Sequence, residues 1–374
     1  MNDGSLPGVY VHVPFCRTKC PYCDFYSVTS PEMATVWLDA VGMEARHYGD
    51  LFARVDSVYI GGGTPSLLED AILAGLLDRL RGEFALEPGS EVTIEINPGD
   101  ASIDKLRFMK DLGVNRVSIG VQSFDERELR FLQRRHTAAQ AEKTFEEARA
   151  SGFDNVGVDL IYGFAGHDGK AWLHSLERVA ALGPEHVSCY QMTIEAGTPF
   201  GRMHAEGTLG SLDEERQADL FLMASEFLEK NGYLHYEVSN YSLGKERRSR
   251  HNMKYWRHIP YLGLGPSAHS FHGNRRWWNV RSVEEYCRRI DRGGMPVEAA
   301  ESLESEQLNL ERLFLGFRTI DGVALASLAE CENAGTLLDR LCKSGLVSIV
   351  DGRVVPTPRG FLVADSLPLL FDHS

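Results

Sequence analysis

The chain has 374 residues, 43% of them hydrophobic and 25% charged, ordinary proportions for a water-soluble fold with length for a large domain and a smaller one. Its 39 basic and 53 acidic residues leave a formal net charge of −14, which argues against a broadly nucleic-acid-binding surface. No apolar run approaches the roughly eighteen residues of a membrane-crossing helix. The opening MNDGSLPG lacks the basic and apolar regions of a secretory leader, so a cytosolic chain is expected.

From the N-terminus to about residue 190, strand-like segments alternate with helical ones. The strand candidates are GVYVHV (8–13), VDSVYI (55–60), EVTIEI (91–96), NRVSIGV (115–121), NVGVDLIY (155–162) and EHVSCYQM (185–192). All are rich in Val and Ile, bounded by Gly, Pro, Asn or Asp, and apolar enough for strands covered on both faces of a parallel sheet. Ser66-x-x-Glu69 and Thr137-x-x-Gln140 read as capping boxes opening helices. Six such βα units suit an α/β fold, either a partial barrel or an open doubly wound sheet, and periodicity alone does not choose.

After Met192 the pattern changes. SLDEERQADLFLMASEFLEKNGY (211–233) predicts an amphipathic helix opened by Ser211-x-x-Glu214 and stopped near Gly232. A Gly- and aromatic-rich section follows over 235–280. From about residue 304 the chain reads as three helices and a hairpin turned by DGR, a winged-helix-like pattern. These changes divide the chain into 1–232, 233–300 and 301–374.

Directly after the first strand comes CRTKCPYC, with Cys16, Cys20 and Cys23 spaced as C-x3-C-x2-C. A structural zinc site would need a fourth ligand, and His12 lies inside the strand. A redox dithiol would use Cys20 and Cys23 and leave Cys16 idle. Three thiolates on an iron–sulfur cluster would leave one iron open, and the spacing favours this third reading. Cys189, Cys287, Cys331 and Cys342 stand singly among apolar or helical residues and read as ordinary thiols.

With GGGTPS (61–66), Glu95 in EINP, Gln122 in GVQSF, Arg134 in LQRRH and Asp159 in DLIYG, the cysteine segment resembles the radical S-adenosylmethionine superfamily, in its coproporphyrinogen dehydrogenase-like branch. Alone, each of these residues would read as a cap or a surface group. The resemblance implies a partial (β/α)6 TIM-like barrel carrying the C-terminal winged-helix-like α+β domain. It implies a [4Fe–4S] cluster on the three cysteines and two S-adenosylmethionine molecules. One would touch Tyr10, Gly62 and Glu95; the other would touch Tyr22, Gly63, Thr64, Gln122, Arg134 and Asp159.

Within that branch, Phe25 stands where the oxygen-independent coproporphyrinogen dehydrogenase has a fourth cysteine, and Cys16 follows too few residues for that enzyme's N-terminal extension. Farther on, GKERRSRHNMKYWRHIPYLGLGPSAHSF (244–271) holds His251-Asn252-x-x-Tyr255-Trp256 amid Arg247, Arg248, Arg250, Lys254 and Arg257. An imidazole, arginines and aromatic faces suit a porphyrin with its propionates, and equally a phosphate backbone with stacked bases. A lone histidine in such a loop is more often structural. HNxxYW resembles the signature of the HemW family of heme chaperones, which implies heme as a bound group, with His251 as its ligand, and hemoproteins such as respiratory enzymes as acceptors. No nucleic-acid partner is expected. The resemblance leaves peripheral membrane contact and homodimerisation open.

Overall fold

The computed structural model describes residues 5–328, 331 and 333–371. Six strands run parallel and side by side in chain order: β1 (Gly8–Val13), β2 (Arg54–Gly62), β3 (Ala85–Ile96), β4 (Arg116–Gln122), β5 (Val156–Tyr162) and β6 (His186–Gln191). Between them lie α1 (Ala34–Tyr48), α2 (Asp70–Glu83), α3 (Ile103–Asp111), α4 (Glu126–Phe131), α5 (Ala138–Ala150) and α6 (Gly169–Leu182). All six expected strands are present, and β3 begins six residues earlier than expected.

Side chains alternate along each strand, and the two faces differ in chemistry. Val9, Val11, Val13, Val58, Ile60, Ile94, Val117 and Ile119 are buried in the apolar core shared with the helices. The other face carries Tyr10, Tyr59, Thr93, Glu95, Arg116, Ser118 and Asp159. In the sheet register Tyr10 pairs with Tyr59, Thr93 with Arg116 and Glu95 with Ser118. This polar face lines the concave side of the sheet, which is where a barrel enzyme keeps its site.

The chain continues through α7 (Pro199–Ala205), α8 (Glu214–Lys230), β7 (Leu234–Glu237), β8 (Asn240–Ser242), α9 (Arg250–Trp256), β9 (Tyr261–Leu264), β10 (His269–His272), β11 (Arg275–Asn279), α10 (Val283–Asp291) and β12 (Val297–Ser302). β8 and β7 add antiparallel strands beyond β6. On the opposite side β9 lies parallel to β1, and β10, β11 and β12 follow antiparallel. The result is one open sheet of twelve strands whose outer strands do not pair with each other, a partial barrel with both flanks extended.

The last part comprises α11 (Ser305–Gly316), β13 (Val323–Ala324), α12 (Ala334–Lys343), β14 (Val347–Val350), β15 (Arg353–Pro356) and α13 (Pro358–Phe361). It has its own core around Phe317, Leu338, Leu341 and Val354. The hairpin is closed by Asp351 and Gly352, both at positive φ, as a two-residue turn requires. The middle of the three expected helices is only a short 3-10 turn at 325–328, and β13 supplies a third strand against β15. Among the described residues no helix is long and apolar enough to cross a membrane.

Two helix starts differ from expectation. Thr137 and Gln140 form the expected capping box. Ser66 instead lies inside a 3-10 turn, and α2 begins at Asp70 with no side-chain cap; the Ser66 hydroxyl accepts from the Asn97 N–H across the sheet. At α8 the cap is Asp213, whose carboxylate takes the Arg216 N–H, because a charged acceptor two residues nearer the helix displaces Ser211 from that role.

Candidate cofactor site

The loop after β1 carries the three cysteines and is fastened on several sides. Cys16 N–H donates to Val28 O and Val28 N–H to Pro14 O. Pro21 O accepts from Phe200 N–H at the start of α7, and the Tyr26 hydroxyl accepts from Val283 N–H at the start of α10. Arg281 binds the Asp24 carboxylate at 3.0 Å. Tyr22 packs among Phe131, Leu132, Ile161, Phe164 and Phe200 at the mouth of β4–β6. The loop is therefore held by residues from both halves of the sheet.

Each sulfur receives a donor. The Thr64 hydroxyl lies 3.5 Å from Cys16 Sγ, Arg134 Nη1 lies 3.4 Å from Cys20 Sγ, and the Phe25 N–H bonds to Cys23. Donors of this kind stabilise thiolates and orient them. Burial, reinforced by the neighbouring Cys20 and Cys16, nonetheless pushes the Cys23 thiol up to about 11. A bound metal centre would pull it back down, because a metal takes the thiolate as its ligand. Three half-buried thiols, one donor apiece and no disulfide fit a cluster-binding loop. Among the described residues no group of three or more His, Cys, Asp or Glu side chains forms a single-ion site.

The glycines at the end of β2 bring the backbone close to this loop. Gly63 N–H donates to Val13 O and Thr64 N–H to Phe15 O, and a Cβ on Gly63 would fall 2.6 Å from Phe15 O. Gly62 has φ +104°, and a Cβ there would strike the His12 ring. Its N–H donates instead to Glu95 at 3.1 Å, while the Tyr59 hydroxyl donates to the other Glu95 oxygen at 2.9 Å. Burial, with some help from Asp159, pushes the Glu95 carboxyl up to about 7, against the pull of those two hydrogen bonds.

A second group forms around Arg134, on the loop between α4 and α5. Its guanidinium bonds Gly120 O at 2.8 Å and the Asn97 side chain, and Asn97 Nδ2 reaches Thr64 Oγ1 at 3.2 Å. Gln122 ends β4 at φ +69°, close to Arg134 beside Gly120. Among the described residues Gln122 Oε1 and Arg134 Nε are buried with no hydrogen-bond partner. Orphaned polar atoms of this kind are what a polar ligand would satisfy.

The expected residues thus fall into two neighbouring sets, Tyr10–Gly62–Glu95 and Tyr22–Gly63–Thr64–Gln122–Arg134. Asp159 accepts from Ser118 at 3.1 and 3.2 Å, and burial raises its pKa. It lies within electrostatic reach of Glu95 and of Arg134. Sequence reasoning did not single out Tyr59, Asn97, Arg116 or Ser118. Tyr59 and Ser118 lie directly across a strand from Tyr10 and Glu95, Asn97 lies two residues past Glu95, and Arg116 lies two residues before Ser118 on the same face, so alternation along β2–β4 was the available signal.

His251 is not brought to the cysteine loop. It lies on α9 beside Gly8 and Ser57, at the opposite ends of β1 and β2, fully buried. Nδ1 is 3.0 Å from the Ser57 hydroxyl and Nε2 is 2.9 Å from the Tyr255 hydroxyl, and burial drives its pKa down to about 3. As folded, neither nitrogen is free for an iron. Its neighbours Arg257 and Arg248 both bind Asp321, and Lys254 binds Asp56, so most of the basic cluster joins the C-terminal part and the strand starts together.

A sequence profile of the radical SAM superfamily matches residues 10–179. The chain is 37% identical to the heme chaperone HemW of Mycobacterium tuberculosis, covering 97% of this chain and 94% of that protein. It is 32% identical to the heme chaperone HemW of Bacillus subtilis, covering 97% and 98%. Among solved structures, the coproporphyrinogen III oxidase HemN of Escherichia coli superposes with a TM-score of 0.82 at 24% identity, over 99% of this chain and 91% of that one, a likeness of fold.

Proposed function

The chain belongs to the HemW family within the radical SAM superfamily, and from that premise we propose that it is a heme chaperone: it binds heme and hands it to acceptor hemoproteins. Near-full-length likeness to proteins named for that role is the observation that carries the reading.

Cys16, Cys20 and Cys23 would hold the [4Fe–4S] cluster, which supplies an open iron and an electron. Glu95 and Gly62 would receive the ammonium group of one S-adenosylmethionine, with Tyr10 and Tyr59 as its wall. Thr64, Gln122 and Arg134 would serve a second, and Tyr22 with Phe131 and Phe200 would shield the cluster side from water. Asp159, tied to Ser118, would fix the polar floor between them.

Phe25 gives this loop an exposed aromatic ring, 65% accessible, where a thiol would be needed to match the dehydrogenase pattern. The test is functional. Reconstituted protein given coproporphyrinogen III, reductant and S-adenosylmethionine should form no protoporphyrinogen, while hemin-loaded protein should pass its heme to an apo-hemoprotein. Sustained protoporphyrinogen formation would replace the chaperone with an enzyme.

A further inference from the structure

The concave face steps down by two residues at a time from the cofactor site to the strand starts. Below the pair Tyr10–Tyr59 lies the pair Gly8–Ser57, on the same face. These two small residues leave room for one ring, and His251 fills it. A Cβ on Gly8 would fall 2.8 Å from His251 Nδ1 and 2.6 Å from Ser57 Oγ. The imidazole lies 5.4 Å from the Tyr59 ring and 6.4 Å from the Tyr10 ring, tilted by 32° and 33°. Tyr59 and Tyr10 are themselves 6.2 Å apart, so the three rings form a triangle with His251 lowest.

The helix that carries this imidazole is firmly tied. The backbone N–H groups of Arg250 and His251 both donate to Glu91 at 3.0 Å, and Lys254 Nζ donates to Leu6 O at 2.6 Å and pairs with Asp56. With Arg248 and Arg257 on Asp321, these bonds fix α9 at both ends. The Tyr255 hydroxyl, bonded to His251 Nε2, lies within electrostatic reach of Tyr10 and of Glu95.

Above the triangle stands Glu95, which takes one of its two hydrogen bonds from the Tyr59 hydroxyl. Burial and then Asp159 push its carboxyl up, while the Tyr59 hydroxyl, the Gly62 N–H and Arg116 pull it down.

We propose that His251 is a positioning residue for the S-adenosylmethionine face: its ring supports Tyr59 from below, so that the Tyr59 hydroxyl meets Glu95. The assignment rests on the reading that Glu95 receives the ammonium group of that cofactor, and it gives the HNxxYW histidine a role that needs no free nitrogen. Without the ring a gap opens beneath Tyr59, the hydroxyl leaves Glu95, and the carboxyl holds its proton more tightly. A neutral Glu95 has no charge to offer an ammonium group.

The test is anaerobic equilibrium dialysis of the reconstituted full chain against S-adenosylmethionine, from about pH 6 to about pH 8.5. Wild type should gain affinity with a midpoint near the Glu95 value of about 7. His251→Ala should move that midpoint up by about one unit, weakening binding about fivefold at about pH 7 and less than about twofold at about pH 8.5. A purely structural loss would weaken binding alike at every pH. His251→Gln, which keeps a polar group for Ser57 but gives up the ring, should show the same shift, and His251→Phe, which restores a ring, should return the midpoint to that of wild type. Tyr59→Phe should produce the shift by itself, and adding His251→Ala to it should shift nothing further. A wild-type midpoint in His251→Ala or His251→Gln, or a further shift in the double variant, overturns the assignment while the cofactor reading stands. Wild type that binds no S-adenosylmethionine overturns that reading itself.

Discussion

Replacing Glu95 by glutamine separates charge from shape at the cofactor face. The carboxylate accepts from the Tyr59 hydroxyl and the Gly62 N–H. A glutamine can still accept from Gly62, and its amide can donate to the Tyr59 oxygen, so the fold itself loses little. What disappears is the negative charge available to an ammonium group. Hydrogen bonds to charged groups contribute about 1.5–3 kcal/mol, so S-adenosylmethionine affinity should fall about 10- to 150-fold at about pH 8. Because burial places the Glu95 carboxyl near 7, it is ionised above that pH and neutral below it. Between about pH 8 and pH 6 its ionised fraction falls from about nine-tenths to one-tenth, and wild-type affinity should weaken about tenfold. Glu95→Gln should show no such slope. Anaerobic equilibrium dialysis of the reconstituted protein at several pH values reads both effects. Equal binding by variant and wild type at about pH 8 would refute the role assigned to Glu95.

Arg134→Leu should lower the iron retained per chain after reconstitution, because it strips a donor from Cys20 and frees Asn97 and Gly120 O; iron content equal to wild type would count against it. Glu44 ties α1 to Gly265, Asn279 and Tyr286 through three buried donors. Glu44→Ala leaves the Gly265 N–H and the Tyr286 hydroxyl without that acceptor, while Asn279 Nδ2 keeps Gly265 O, and should cost about 3 kcal/mol in urea unfolding; a loss below about 1 kcal/mol would show that the tie does not matter. Burial also raises the Glu44 carboxyl to about 7, so the folded chain binds a proton that the unfolded chain releases at lower pH. That contribution is complete below the ordinary value of 4.5 and is lost as pH rises through 7. Buried His12, His136 and His235, lowered to about 4, act in the opposite sense. The clean readout is therefore a difference: Glu44→Gln should gain up to about 3 kcal/mol on wild type as pH rises from about 5 to 8.

The six parallel strands were legible because each pairs a run of Val and Ile with a bounding Gly, Asn or Asp, and burial on both faces demands that composition. The flanking extensions were not. β7–β12 are three to six residues long, and β7, β8 and β9 are buried at almost every position although they carry His, Tyr, Glu, Asn, Ser and Gly, so they show neither an apolar run nor an apolar/polar alternation. The cysteine loop and its glycines could be located from spacing, while the donors that make it a site come from β2, β3 and the α4–α5 loop and meet only in three dimensions. The HNxxYW segment shows the limit most plainly. Its histidine and basic residues look like a ligand surface in sequence, yet Ser57, Tyr255, Asp56 and Asp321 engage them at the strand starts and the C-terminal junction.

The central claim is that this chain carries heme for others. The most direct measurement loads the reconstituted protein with hemin, removes the excess, adds an apo-hemoprotein, and follows both Soret bands over time. The account predicts saturable hemin binding followed by transfer that builds the acceptor's absorption as the donor's declines. Hemin that never binds saturably, or that stays on the chain in the presence of the acceptor, contradicts it.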